Sequence, residues 1–310
     1  MTSALPASSF LRDVRVVARF ELGEALRSRL LIVMVLLFVG AGALGAWGYT
    51  NAIQEAEVRA ASALGAPASR RPGATVRRMR DTQSYRDIIR VFVRDTKKAD
   101  FYASYPPIVV FYFFTAFIFT PWLVLFTSAE TIAAEVASRA VRYSLLRTGR
   151  LAYALGKTLG QLAILVGVTG LGALVFYFIA WAQLADFEAG ATALGLLSYW
   201  PRVIVYTLPF LAWAMFASMA TASTNLARIV SLAGGVLLAI AGGLASEESW
   251  RTNAVASAAL DLLGMLTPMG HADGFRYPPG GQLPRDLAVC LVLTVLYFAA
   301  GFAIFRRRDV

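Results

Sequence analysis

Residues 128–157 read SAETIAAEVASRAVRYSLLRTGRLAYALGK, and this charged stretch lies between two long runs without Asp, Glu, Lys or Arg. The flanking runs, 108–127 and 158–181, can each cross a bilayer as a helix, which takes about 20 apolar residues. The stretch between them therefore emerges from the membrane. Its Ala, Leu, Glu and Arg favour helices, and its basic residues favour the cytoplasmic side. Such a segment suits the docking of a soluble partner, and an ordinary basic cytoplasmic loop is the alternative.

The composition indicates an integral membrane protein. Of 310 residues, 58% are hydrophobic and 15% are charged, whereas soluble proteins carry about 25% charged residues. The net charge of +10 fits basic residues beside apolar spans that face anionic lipid heads, so no nucleic-acid partner is expected. A single cysteine, Cys290, and a single histidine, His271, exclude an intrachain disulfide, a thiolate cluster and a His-rich metal site.

Six charge-free segments are apolar and long enough to be membrane spans. They lie at about residues 30–49, 108–127, 158–181, 203–221, 229–245 and 287–305. The sequence therefore predicts an all-α integral membrane protein with six transmembrane helices in one membrane domain, residues 30–310. Residues 1–29 combine arginines with apolar residues on a helical period, which predicts an amphipathic helix on the inner leaflet. A signal peptide is the alternative, but its charged region would be unusually long.

Two further polar segments separate the spans. Residues 50–106 form a large basic insertion, and residues 246–286 form a loop with a short apolar helix. Without the insertion, 14 basic residues lie on the side of the termini and residues 128–157, against 4 on the opposite side. The 11 basic residues of the insertion nearly equalise the two counts, but the positive-inside rule weakens for loops of about 60 residues. Both termini are therefore expected in the cytoplasm, with the insertion outside.

The spans lack the groups that most membrane chemistry needs. None contains an acidic or basic residue, so ion-coupled transport, which uses intramembrane ionisable groups, is disfavoured. No nucleophile–base pair, paired acids or metal ligands point to a catalytic site. The sequence Gly156-Lys157-Thr158 resembles the end of a phosphate-binding loop, but the glycine needed five positions earlier is Leu151. Any ATP-driven activity therefore requires another subunit.

The charged stretch resembles the cytoplasmic loop of type-2 (ABC-2-like) permease subunits of bacterial ATP-binding-cassette transporters. That loop carries an acidic helix, a Gly-Thr, a leucine pair, a Pro-x-Ser-Arg turn and a Gly-Lys. The matching residues here are Glu130, Glu135, Leu145, Leu146, Arg150, Gly156 and Lys157. Arg142-Tyr143 stands in place of the Gly-Thr, and Thr148-Gly149 replaces the proline and serine. The N-terminal helix, the six spans and the tail 305–310 also fit, whereas residues 50–106 lie outside the resemblance.

The resemblance implies a multi-pass permease of the bacterial cytoplasmic (inner) membrane that works as an ATP-driven exporter. A separate ATPase subunit, which binds ATP and Mg²⁺, would dock on residues 128–157, so no cofactor is expected in this chain. The expected contact residues are Glu130, Glu135, Arg139, Arg142, Leu145, Leu146, Arg150, Gly156 and Lys157. The resemblance also implies a homodimer held by the glycine-rich first and fifth spans, with Gly235 and Gly242 at the contact.

Two other functions belong to different classes. A non-transporting membrane scaffold would use residues 50–106 to bind an envelope or accessory protein. A membrane-bound enzyme would need catalytic groups that the chain does not offer. If the chain is a permease, its charge-free spans, with an aromatic-rich second span, suit an apolar or amphipathic substrate.

Overall fold

The computed structural model describes residues 7–27, 29–63, 72–73, 83–93, 95–185, 187–246 and 253–308. The last two tail residues, 309–310, and parts of the 50–106 insertion lie outside these ranges. Within the described residues the chain is helical and has no strand, and six helices are long and apolar enough to cross a bilayer. The prediction of an all-α protein with six membrane-spanning helices is therefore confirmed.

The helices are named here in chain order. They are α1 (Ala7–Arg27), α2 (Arg29–Ala63), α3 (Gln83–Val93), α4 (Thr96–Ala103), α5 (Pro107–Thr127), α6 (Thr131–Ala137), α7 (Val141–Leu145), α8 (Arg150–Gln183), α9 (Ala189–Ala220), α10 (Thr224–Ser246), α11 (Ala254–Met265), α12 (Ala272–Arg276) and α13 (Leu283–Arg307). Short 3₁₀ turns cover Ser128–Glu130, Pro268–His271 and Pro278–Gly280. The candidates for membrane spans are α2, α5, α8, α9, α10 and α13.

Several helices continue beyond the charge-free runs of the sequence. Helix α8 begins at Arg150 and α9 begins at Ala189, although the corresponding runs begin at residues 158 and 203. The additional turns of α8 consist of Ala, Leu, Arg and Lys with one Tyr and one Gly, and most of these residues favour helices whether or not they are apolar. Hydropathy locates the membrane-crossing part of a helix but not its ends. The charged stretch 128–157 therefore contributes two turns to the third span.

The chain forms two compact units, and the first comprises residues 1–34, 119–167 and 203–310. Its apolar core draws side chains from α1, α5, α6, α7, α8, α9 and α13. The buried members include Val17, Val124, Ile132, Val141, Tyr153, Leu165, Leu211, Met215, Met219 and Phe305. Because α6 and α7 each contribute a buried side chain, the charged stretch is packed into this unit rather than extended away from it.

The second unit comprises residues 35–118 and 168–202, and aromatic rings dominate its packing. Phe113 is fully buried, with its ring centroid 4.3 Å from that of Tyr199 and 4.9 Å from that of Phe117. Gly195 lets α9 approach Val109 closely, since an added Cβ would lie 2.7 Å from a Val109 methyl carbon. The aromatic residues of the predicted second span therefore pack against one another and against aromatic rings of neighbouring helices.

A buried ionisable pair lies in the first unit, where the segment around α12 meets α13. His271 Nδ1 is 2.8 Å from Asp286 Oδ1, and both side chains are buried. The backbone of α12 passes closely over the Asp286 carboxylate at Gly274, where any Cβ would clash. His271, which its position in a loop of the sequence would place at the surface, is therefore buried and joins the 268–271 turn to the first turn of the last span.

Candidate functional site

A buried cluster of charged residues joins three helices of the first unit at Lys157. This lysine, on α8, is 2% exposed. Its ammonium group forms ion pairs with Glu21 of α1 and Glu135 of α6, and Glu24 Oε2 lies 3.9 Å away. A buried ammonium group is tolerated only when it is paired and hydrogen-bonded. The cluster therefore fixes α1, α6 and α8 to one another.

Neutral side chains complete the hydrogen bonding of this cluster. Gln161 Nε2 donates to Glu21 Oε1 at 2.7 Å, and Ser128 Oγ donates to Gln161 Oε1 at 3.0 Å. The Tyr153 hydroxyl donates to Glu135 Oε2 at 2.7 Å. These bonds hold each of the two buried carboxylates in one orientation, which a single ion pair would not do.

The three carboxylates of the cluster have a spacing that a metal ion could use. One oxygen from each of Glu21, Glu24 and Glu135 lies within 4.8 Å of the others. The Lys157 ammonium group, however, already contacts two of these carboxylates. The lysine thus lies between Glu21 and Glu135 and offsets part of their charge, so these residues form a structural junction.

Two glycines of α8 allow α1 to reach this junction. A Cβ added at Gly156 would lie 2.5 Å from Val17 Cβ, and one at Gly160 would lie 2.6 Å from Glu21 Cγ. Both distances are far below van der Waals contact, so only glycine fits at this approach. Since the glycines are four residues apart, they form one groove along α8 that receives α1.

The start of α6 is held by a side chain from α9. Ser218 Oγ accepts hydrogen bonds from the backbone N–H groups of Ile132 and Ala133, at 2.9 and 3.0 Å. The first N–H groups of a helix have no partner within that helix. A hydroxyl 86 residues away in the chain supplies one here, so α6 is anchored at its N-terminus by Ser218 and further along by Glu135.

The segment after α6 carries the exposed part of the charged stretch. Tyr143 and Leu146 are 78% and 82% exposed, and the basic side chains of this segment also face outward. Val16 and Phe20 of α1 line a cavity of about 430 Å³ together with Tyr143 and Leu146. These four apolar side chains and the exposed arginines Arg139, Arg142 and Arg147 are called the docking surface below.

The residues expected to contact an ATPase subunit separate into two groups in the structure. Arg139, Arg142 and Leu146 are exposed, whereas Leu145 packs against the core. Lys157 and Glu135 lie in the buried junction, and Gly156 lies against α1. Glu130 forms an ion pair with Arg228 at the start of α10. The exposed group has the side chains most accessible to a partner.

Arg150 has a different environment from the one the sequence suggests. Its Nη1 donates to the backbone carbonyls of Phe305, Arg306 and Arg308, at 3.1, 2.7 and 2.8 Å. The last carbonyls of a helix lack intrahelical partners and carry partial negative charge, which a guanidinium satisfies. Arg308 does the same for α9, donating to the carbonyl of Met219 at 3.1 Å. Arg150 therefore caps the C-terminal end of α13.

The two glycines expected at a dimer contact have neighbours in their own chain. A Cβ at Gly235 would clash with the Leu125 side chain of α5, and one at Gly242 would clash with Met269. Both therefore allow close packing, but the packing they allow is within the protomer. On the same helix, Gly243 has open space beside it.

Sequence reasoning missed Glu21, Tyr153, Gln161, Ser218 and Arg308. For Glu21 a signal was available, because it falls on the same helical face as Val14 and Val17, the buried side of α1. An acidic residue on the apolar face of a helix indicates a buried cationic partner. The hydroxyl and amide groups gave no such signal, since their partners are distant in sequence.

Comparison with protein families gives one match. The family model for ABC-2 family transporter protein matches residues 15–310. The matched range begins within α1 and includes the charged junction, the docking surface and all six candidate spans. No curated protein matches the chain.

Proposed function

Since the protein belongs to the ABC-2 family of transporter proteins, we propose that it is the permease of an ATP-driven exporter and that a separate ATPase subunit docks on residues 128–157. The observation that carries this proposal is the docking surface. Its exposed Tyr143 and Leu146 line the same cavity as Glu135 and Lys157 of the buried junction. Exposed apolar groups beside unpaired basic groups are typical of a surface that a soluble protein covers.

ATP and Mg²⁺ belong, in this proposal, to the partner subunit. The only stretch of this chain that resembles a phosphate-binding loop lacks the required glycine at Leu151. It also lies in α8, where Gly156 and Lys157 are used to receive and hold α1. The permease therefore contributes movement rather than hydrolysis.

The buried junction provides a route by which a docked ATPase could move the spans. A displacement of the docking surface acts on α6 through the short connection at residues 138–140. Glu135 of α6 is bonded to Lys157 and Tyr153 of α8, and Lys157 is bonded in turn to Glu21 of α1. Because buried ion pairs resist separation, α1, α6 and α8 should move together. The Ser218 bond extends this connection to α9.

A second permease copy would complete the transporter. The exposed face of α10, which includes Leu237, Ile240 and the open side of Gly243, offers an apolar surface for such a copy. The exposed face of α2 offers another at Leu36 and Leu44. We assign the dimer contact to these faces rather than to Gly235 and Gly242, whose sides are filled within the protomer.

The location of the protein follows from the same proposal. Six apolar helices make it a multi-pass membrane protein, and the docking of a soluble ATPase requires residues 128–157 to lie in the cytoplasm. The bacterial inner membrane is the proposed site, with export as the direction. The 50–106 insertion would then face outward, where an accessory envelope protein could bind it.

The test is purification of the tagged protein from its own membranes in mild detergent, followed by mass spectrometry. We expect an ATPase subunit at a fixed ratio, lost in the Leu146→Ser variant. Val255→Ser is the matched control, because Val255 of α11 is 80% exposed and lies outside the docking surface. Recovery of an envelope protein, with no ATPase in any sample, would instead support a membrane scaffold.

A further inference from the structure

Three arginines of the docking surface have no acidic partner among the residues that the structure describes. Arg139, Arg142 and Arg147 are exposed, and none forms an ion pair within the part of the chain that the structure describes. The acidic residues nearest in sequence are already engaged, since Glu130 binds Arg228 and Glu135 binds Lys157. The segment therefore presents a group of uncompensated positive charges.

The backbone at Arg139 is in a conformation that favours glycine. Its φ is 60°, and no other described residue except glycine has a positive φ. The residue follows the C-terminus of α6, a position at which glycine usually adopts this left-handed conformation. A side chain there costs about 1 kcal/mol. A bulky charged residue at a glycine position indicates that its side chain has a use that offsets the strain.

Arg139 and Arg142 border one cavity, and Arg147 lines an adjoining cavity together with Tyr143 and Leu146. The first cavity has a volume of about 890 Å³, and its lining residues are Ser138, Arg139, Arg142, Tyr143, Leu145, Leu146, Thr148, Gly149 and Arg150. Arg142 and Leu146 are four residues apart at α7, so they project from one face. Arginine guanidinium groups favour carboxylates, which they can bind with two parallel hydrogen bonds. The cavity is thus suited to acidic side chains with an apolar neighbour.

Anionic lipid head groups are the other class of acidic ligand, and the length of α8 argues against them. The charge-free run of this helix begins at residue 158, whereas the helix itself begins at Arg150. At 1.5 Å per residue, the intervening turns add about 12 Å between the apolar run and the segment that carries the arginines. A protein on the far side of the head groups is therefore the better occupant.

We propose that the ATPase partner presents a cluster of Asp or Glu side chains to the docking surface, and that Arg139 and Arg142 in this cavity and Arg147 in the adjoining one bind the cluster. This inference rests on the proposed function and adds the chemistry of the partner's contact surface. It also gives Arg139 a specific role. The backbone conformation at this position favours glycine, and the arginine adds a positive charge that glycine would lack.

The first experiment separates the charge of Arg139 from its backbone strain. The co-purified ATPase is isolated, and its affinity for the permease in lipid nanodiscs is measured. Arg139→Gly relieves the strain and removes the charge, so we expect an unchanged or higher melting temperature with about fivefold weaker binding. Arg139→Lys keeps the charge and the strain but loses the paired hydrogen bonds, so it should bind less tightly than the original protein and more tightly than the Gly variant. Equal affinity of the Gly variant and the original protein would overturn the role of Arg139.

The second experiment reverses charges. Arg142→Glu and Arg147→Glu should each weaken binding about tenfold or more, because like charges would then face each other. The wild-type affinity should fall as salt rises, and less steeply in the triple variant with Arg139, Arg142 and Arg147 all changed to Gln. Arg307→Glu is the control, since Arg307 is an exposed arginine of the tail. An equal loss in this control would contradict a specific acidic cluster.

A third measurement distinguishes the partner from lipid. The melting temperatures of the original protein and the triple Gln variant are compared in nanodiscs of phosphatidylcholine with and without phosphatidylglycerol. We expect the anionic lipid to shift both proteins equally, and a shift lost in the variant would assign the arginines to head groups instead. If no ATPase accompanies the original protein at all, the proposed function fails. If the ATPase binds and the charge variants bind equally well, only the acidic-cluster inference fails.

Discussion

Lys157 is the residue on which the proposed coupling depends most. Its ammonium group is the only cation in contact with the carboxylates of Glu21 and Glu135 among the described residues. Since both carboxylates are largely buried, neither can replace this partner with bulk water. The lysine was expected at the surface of a partner contact, and its burial gives it an internal role instead.

Replacing Lys157 with Met should destabilise the protein strongly. The change leaves two carboxylates buried without their cation, and breaking a buried pair in this way costs about 3–5 kcal/mol. The apparent melting temperature in mild detergent should therefore fall by many degrees. Arg147→Met removes an exposed cation from the same stretch and should change the melting temperature little. Similar melting temperatures for both variants would show that the junction adds nothing to stability.

The hydrogen bonds of Arg150 should stabilise only the C-terminal end of α13. Arg150→Gln removes up to three charge-assisted bonds to backbone carbonyls, a loss of about 1–3 kcal/mol. The last turn of α13 should fray, and its amide hydrogens should exchange faster in hydrogen–deuterium exchange. Arg307→Gln leaves those bonds in place and should not alter the exchange. If α13 exchanges at the original rate in the Arg150 variant, the arginine does not cap that helix.

At the scale of elements, the approach of α1 to α8 depends on glycine. Gly156→Leu should force α1 away, because even a Cβ would lie 2.5 Å from Val17 Cβ. Val17→Cys reports this movement by thiol labelling, since Val17 is buried and the single native cysteine, Cys290, is also buried. We expect slow labelling in the Val17→Cys protein and at least about tenfold faster labelling when Gly156→Leu is added.

Gly167→Leu is the matched control for this experiment. It lies on the same helix with nothing within 4 Å of an added Cβ. Labelling of Val17→Cys should therefore remain slow in combination with Gly167→Leu. Equally slow labelling in both combinations would mean that α1 does not rest on the glycine groove.

The sequence predicted the elements of the membrane domain better than their contacts. Charge-free runs identify spans because ionisable groups are costly in hydrocarbon, so all six helices were found. Their ends were not, because Arg150 and Lys157 end the charge-free run at residue 158 while the helix continues to Arg150. The contact between Glu21 and Lys157 joins residues 136 apart in the chain. Periodicity gives the face on which such a residue lies, but not the helix that meets it.

Sequence spacing also could not identify the neighbours of the glycines of α10. Their spacing predicted a close helix approach, and in the structure a Cβ at Gly235 would clash with Leu125 of α5 and one at Gly242 with Met269 of the 268–271 turn. Spacing alone does not say whether the approaching neighbour belongs to the same chain or to a second copy. In the structure α5 and the 268–271 turn fill these positions, whereas Leu237 and Ile240 on α10 are exposed.

At the scale of the whole molecule, the proposed function requires a defined orientation in the membrane. Ser62→Cys, near the end of α2, should react with an impermeant maleimide added to intact cells. Ser138→Cys, in the charged stretch, should react only after the cells are permeabilised. Both serines are exposed, and Cys290 is buried and should give little background. The reverse labelling pattern would place residues 128–157 outside the cell and exclude docking of a cytoplasmic ATPase.

The most direct test of the account is photo-crosslinking from the docking surface in native membranes. A benzophenone amino acid placed at Tyr143, an exposed residue of α7, should crosslink to an ATPase subunit that carries a phosphate-binding loop. The same probe at Val255 should not. A product with that ATPase, identified by mass spectrometry only for the Tyr143 probe, is the predicted result. Crosslinks at Tyr143 to other proteins alone, with the ATPase present in the membranes, would contradict the account.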